Sequence, residues 1–205
     1  MATNASFLGF HPHNDHGGTS VQLIRRRVAS NNGTAIFKGD VIDYTAAGVV
    51  GIATAGSGGV GSSQGASYYD STIGGRRENP YLPASTTYAS TAFDDHGETD
   101  ESFLYITADP VNAVFRAQYS ASTPALTDLT KNANFAAGAG GSTTTGISSH
   151  ALDQTTLATT AALDFRITDF LHNVLSDPAQ ASAHVLVKFN LGKIPPFNAA
   201  GTAGK

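Results

Sequence analysis

The sequence predicts a mainly β fold: a small β-barrel or sandwich-like domain with long loops, one short helix, and extended N- and C-terminal arms. Three observations predict it. Short runs of β-branched and aromatic residues recur at close spacing, separated by Gly, Asn and Pro. One run alternates with period two: Val111, Ala113, Phe115, Ala117 and Tyr119 share one face, and Asn112, Arg116 and Gln118 share the other with Val114. Finally, Ala (31), Gly (22), Ser (18) and Thr (23) make up nearly half of the 205 residues, so apolar bulk is confined to those runs and the core is thin.

In chain order, residues 1–20 read as an N-terminal arm. Phe7, Leu8 and Phe10 form its apolar patch, followed by a His-rich stretch without period. The β-rich core domain spans 21–192. Val21 to Ala29 is a strand, and Asn31-Asn32-Gly33 a turn, since Asn and Gly tolerate positive φ. Thr34 to Lys38 and Val41 to Tyr44 are strand runs interrupted by Gly39-Asp40, and Val49 to Ala53 follows. Such spacing fits a meander or barrel. Gly56 to Ser90 reads as a long Gly- and Ser-rich loop, with Pro80 and Pro83 arguing against a central strand. Asp94 to Glu101 is an acidic loop. Phe103 to Thr107 and Val111 to Tyr119 are strands around an Asp109-Pro110 turn. Pro124 to Asn134 is the short helix, with Pro at an early position and Leu126 and Leu129 three apart. Leu163 to Ile167 and His184 to Phe189 are strands. Residues 193–205 form a C-terminal tail that carries Ile194, Pro195, Pro196 and Phe197. No repeat of fixed period is present.

Composition excludes several chemistries. Without Cys there is no disulfide scaffold, thiol catalysis, iron–sulfur cluster or Cys-type zinc site. A net charge of −4 argues against electrostatic binding of nucleic acid. No apolar run reaches the length of a membrane span, and the first ten residues lack the basic start of a signal peptide, so synthesis in a cytoplasm is the expectation.

Five motifs each admit a plainer reading. Gly56-Ser57-Gly58-Gly59-Val60-Gly61 fits G-x-G-x-x-G, but no helix start with an apolar stripe follows to hold a pyrophosphate, so it reads as a loop. Gly61-Ser62-Ser63-Gln64-Gly65 fits G-x-S-x-G, yet a nucleophile elbow at Ser63 needs a strand before it and a helix after it. His11, His13, Asp15 and His16 are metal-ligand types on an extended arm, read as solvated for want of supporting groups. Asp94, Asp95, Glu98, Asp100 and Glu101 lack the calcium-loop order and read as a solvated loop. Arg25-Arg26-Arg27 alternates faces on a strand and makes no continuous basic patch.

The order of features resembles the capsid decoration, or cement, proteins of tailed bacteriophages. The resemblance runs through Leu8-Gly9-Phe10, Ala35-Ile36-Phe37-Lys38-Gly39-Asp40-Val41-Ile42, Tyr68-Tyr69-Asp70 and Tyr81-Leu82-Pro83-Ala84. It continues through Ala108-Asp109-Pro110-Val111, Val114-Phe115 and Gln118, then the Gly141 to Ser148 stretch, Leu152-Asp153 and Val185-Leu186-Val187-Lys188. It spans about residues 8–190, and the chain departs from the pattern in its Gly56–Gly65 loop and its tail. The resemblance implies a virion structural protein without active site or cofactor, made in the host cytoplasm. Such a protein oligomerises, as a homotrimer first and a dimer second, and clamps neighbouring major capsid protein subunits on the outer capsid surface. No nucleic acid or membrane partner is implied. Phe7, Leu8, Phe10, Ile194, Pro195, Pro196 and Phe197 are the expected contact residues. A tail, neck or receptor-binding component is the alternative, and a serine hydrolase at Ser63 the remote one.

Overall fold

The computed structural model describes residues 8–13, 21–29, 32–46, 48–70, 72–84, 102–107, 109–138, 140–171 and 176–194. The acidic loop 94–101 lies outside them. The fold is mainly β, as the sequence predicts. In chain order the strands are β1 (His11–Pro12), β2 (Leu23–Arg27), β3 (Val41–Tyr44), β4 (Val50–Ile52), β5 (Gly61–Asp70), β6 (Gly75–Asn79) and β7 (Phe103–Thr107). They continue as β8 (Phe115–Gln118), β9 (Asn132–Ala133), β10 (Phe135–Ala136), β11 (Ala151–Leu152), β12 (Phe165–Phe170) and β13 (His184–Phe189).

These strands form two main antiparallel sheets, ordered β1-β8-β13-β12-β9 and β2-β7-β5-β3-β4, with β6 on β5 and a separate β10-β11 pair. Most neighbours in the sheets are distant in sequence, so the topology is not a meander. In the second sheet a parallel bridge between Val28, just after β2, and Val50, at the start of β4, joins the two outer strands. This sheet packs around Ile42, Val50, Ala66, Tyr68, Leu104 and Ile106, with Ile36 and Leu82 completing the core.

A second core lies on the inner face of the first sheet. Phe115, Ala117 and Tyr119 alternate inward from β8 and its end, meeting Val185, Val187 and Phe189 of β13 and Phe165 and Ile167 of β12. Strand β3 is the wall shared by the two cores. Its side chains alternate, so Val41 enters the first cluster while Ile42 enters the second. Aromatic rings fill much of the first core: Phe10 stacks on Phe165 at 4.4 Å, Phe165 meets Phe189 at 4.4 Å, and Phe115 meets Phe189 edge-on at 5.4 Å.

The structure redraws three sequence expectations. The stretch read as a loop from Gly56 to Ser90 holds the longest strand, β5, paired with β6 as a hairpin. Strand propensity misses it because small residues are required there. β5 runs past β3, β7 and β6 in turn, an added Cβ at Gly61 would lie 3.0 Å from the Thr107 carbonyl oxygen, and Gly65 sits at a register shift against β7. The helix expected at Pro124 to Asn134 is a single 3₁₀ turn, Leu126–Asp128. Leu126 is 80% exposed, so no apolar stripe anchors a helix, and Asn132 leaves to pair with β12 and Ala158. The third concerns the two chain ends. Residues 8–13 dock onto the domain, with β1 pairing with β8, and Ile194 is buried in the first core.

Candidate functional site

A buried polar junction joins four segments distant in sequence. Gly39 and Asp40 form the break between the Ile36 and Val41 runs. The Gly39 φ of +96° reverses the chain, and Gly9, at +94°, lies against it. Gly9 N–H donates to the His150 carbonyl at 2.7 Å, Phe10 N–H to the Gly39 carbonyl at 2.8 Å, and Gly39 N–H to the Ser63 carbonyl at 2.7 Å. Lys38 N–H donates to the Gly146 carbonyl and Ser148 N–H returns to the Lys38 carbonyl, each at 2.9 Å.

Asp40 is the hub of the junction. Its carboxylate accepts the Phe37 N–H at 2.7 Å and the Ser148 hydroxyl at 2.5 Å. Ser148 Oγ in turn accepts the His150 N–H at 2.9 Å. The His150 ring accepts the Val41 N–H at Nδ1, 3.2 Å away, which places its proton on Nε2, 3.6 Å from Asp40 Oδ1. Burial pushes the Asp40 carboxyl above its ordinary range and the His150 imidazole below its own. Aspartate, histidine and serine are gathered here, but no hydroxyl is bonded to a ring nitrogen and both titratable groups are buried. The cluster joins segments; it has no nucleophile–base pair.

His11 borders the junction, its Nε2 donating to the Leu8 carbonyl at 3.0 Å. Burial is the main cause that lowers its pKa to about 4, with Arg116, Lys38 and His184 adding repulsion. This residue was expected on a solvated arm, and the structure buries it. His13 is half-buried, and Asp15 and His16 lie outside the described residues. Among the described residues no group of three or more His, Cys, Asp or Glu could hold a metal ion.

The two Gly-rich motifs take structural roles. In the G-x-G-x-x-G stretch the N–H groups of Gly56 and Gly58 donate to the Asp164 carboxylate at 2.8 and 2.9 Å. The loop does cradle an anion, but one supplied by this chain. Lys193 Nζ closes the same loop on the Gly56 carbonyl at 2.5 Å. Ser63 lies within β5, fully buried, and its Oγ has no hydrogen-bond partner among the described residues. The strand-to-helix turn of a nucleophile elbow is absent around it. Arg25 of β2 stands over the Phe103 ring at 4.1 Å, and Arg76 of β6 approaches the same ring at 5.4 Å.

Of the expected contact residues, Phe10 and Ile194 are 0% and 1% exposed and belong to the chain's own core. In this fold they are packing residues, unavailable to a partner. Leu8 is half-buried, and Phe7, Pro195, Pro196 and Phe197 lie outside the described residues. The Asp40 hub and the Asp164 clamp were not singled out in the sequence. The one signal was Gly39-Asp40 interrupting two apolar runs, which marks a chain reversal with a carboxylate at a buried position.

No family model, no curated protein and no solved structure matches this chain.

Proposed function

We propose that the protein is a non-enzymatic virion structural protein that decorates the outer surface of a tailed-bacteriophage capsid and stabilises the major capsid protein lattice. The observation that carries this reading is where the resembling segments lie. Leu8-Gly9-Phe10, Phe37 to Val41 and the Gly146 to Ser148 stretch meet at the Asp40 junction, and Val114-Phe115, Leu152 and Val185 to Val187 line the apolar clusters. The resemblance therefore falls on residues that determine this fold. Among the described residues no helix is long and apolar enough to cross a membrane.

In this reading the chain forms a homo-oligomer, a trimer on local threefold axes in preference to a dimer, and each copy contacts neighbouring capsid subunits. With Phe10 and Ile194 committed to the core, the contacts fall to Phe7, Leu8, Pro195, Pro196 and Phe197. Repetition over many lattice sites strengthens a modest contact.

Co-sedimentation of the full chain with expanded capsids that lack it tests this reading. The expected result is saturable binding and higher heat tolerance of the shell. Failure to bind any shell of the virus that encodes it overturns the reading. A tail or neck component is separated by copy number, being far scarcer in virions than the major capsid protein.

A further inference from the structure

The outer face of the first sheet carries an open hollow of about 680 Å³ beside the β12–β13 pair. Arg166 of β12 and Lys188 of β13 both line it, and they are directly opposite each other in the antiparallel register. Like charges facing each other across two strands are unfavourable unless an anion lies between or above them. Among the described residues neither cationic side chain makes a hydrogen bond or ion pair, and Lys188 lies close enough to Asp109 to favour its charged form.

The neighbouring carboxylates accept their hydrogen bonds from neutral donors, not from either cation. Asp109 accepts the Val111 and Asn112 N–H groups and the Asn112 amide. Asp169, opposite Leu186 beyond the bulge, accepts its own neighbour's Phe170 N–H. The rim of the hollow is apolar: Leu191 is 57% exposed there, beside half-buried Val111. Arg166 and Lys188 thus stand side by side in a chain of net charge −4, in no ion pair among the described residues and bordered by an exposed leucine.

We propose that this hollow is a docking site for an acidic peptide segment of another protein, with carboxylates held by Arg166 and Lys188 and an apolar side chain against Leu191. Charge complementarity selects an acidic occupant. The volume of the hollow and its apolar rim select a peptide over a small inorganic anion. Two cations in a net-negative chain do not make the extended basic track that a nucleic acid needs. The proposal holds whatever protein supplies the segment, and so stands apart from the capsid reading.

The test is an NMR titration of the isotopically labelled full chain. The probe is a capped pentapeptide with a glutamate on each side of a leucine; the matching glutamine peptide and inorganic phosphate are the comparisons. The expected result is saturable shifts at Arg166, Lys188 and Leu191 with the glutamate peptide. Affinity falls by about tenfold or more for the glutamine peptide and for the R166Q/K188Q double variant, whose spectrum otherwise keeps the native dispersion. Four results overturn the proposal: no shifts at these residues, equal binding of the glutamine peptide, phosphate binding as tightly as the peptide, or shifts that track protein concentration without peptide, which would assign the hollow to a second copy.

Discussion

Gly9 and Gly39 oppose each other so closely that a Cβ added to Gly39 would lie 2.9 Å from the Gly9 Cα, and one added to Gly9 would lie 3.0 Å from the Gly39 Cα. Both residues also have left-handed φ angles. This contact lets residues 8–13 lie on the chain reversal at Gly39-Asp40, and it holds the N-terminal segment on the domain through backbone bonds to Gly39 and His150.

Gly39→Ala therefore meets two penalties, left-handed strain and displacement of a neighbouring backbone, and is expected to destabilise by about 2–4 kcal/mol. Gly48→Ala separates them. Gly48 has a φ of +78° but open space around it, so about 1–2 kcal/mol is expected. Urea denaturation of both variants measures the difference, and equal losses would show that the contact contributes nothing.

Phe10 is fully buried, stacked on Phe165 and edge-on to Phe135 at 6.3 Å. Phe10→Ala is expected to lose about 3–5 kcal/mol. Thermal denaturation checks whether Phe10 belongs to the core or to a partner surface, and a loss under about 1 kcal/mol would contradict the core placement.

Asp40 satisfies a buried N–H and a buried hydroxyl. Asp40→Ala leaves both unpaired and is expected to destabilise by about 3 kcal/mol. Asp40→Asn can still accept the Phe37 N–H and donate to Ser148 Oγ, and the expected loss is about 1 kcal/mol. Chemical denaturation that ranks the two variants equally would remove Asp40 as the hub.

Stability is expected to fall in mild acid through His11. Its pKa is lowered from 6.5 to about 4 by burial and by Arg116, Lys38 and His184, against the Leu8 carbonyl, which favours the charged form. A base with a depressed folded pKa contributes stability that is complete above pH 6.5 and is lost as the pH falls towards 4, because the unfolded chain takes up the proton first. The span corresponds to about 3 kcal/mol. His150 is shifted in the same direction, whereas Asp40, raised by burial, acts in the opposite sense. The His11 ring, followed by NMR, should titrate near pH 4, and His11→Gln should flatten the stability profile between pH 6.5 and 4. Titration near 6.5 would contradict the buried placement.

What was legible in the sequence follows from which physical signal each element carries. β7 and β13 are runs of large apolar residues, and β8 alternates, so propensity and period located them. β5 carries its information in the absence of side chains. Gly61, Ser62, Ser63 and Ala66 are small because three other strands crowd them, and small residues also spell loop. The burial of Phe10 and Ile194 is illegible for a related reason: nothing local to either says whether an apolar residue near a chain end packs inward or meets a partner. The Asp164 clamp joins residues 106 and 108 positions apart, so only the folded chain reveals that the Gly-rich loop already holds its anion.

Electron cryomicroscopy of the assembled virion locates the protein outright. Density for this β domain is expected to repeat across the outer capsid surface, in proportion to the major capsid protein and on local symmetry axes. Density confined to the tail or neck, or a shell surface with none, would contradict the capsid reading.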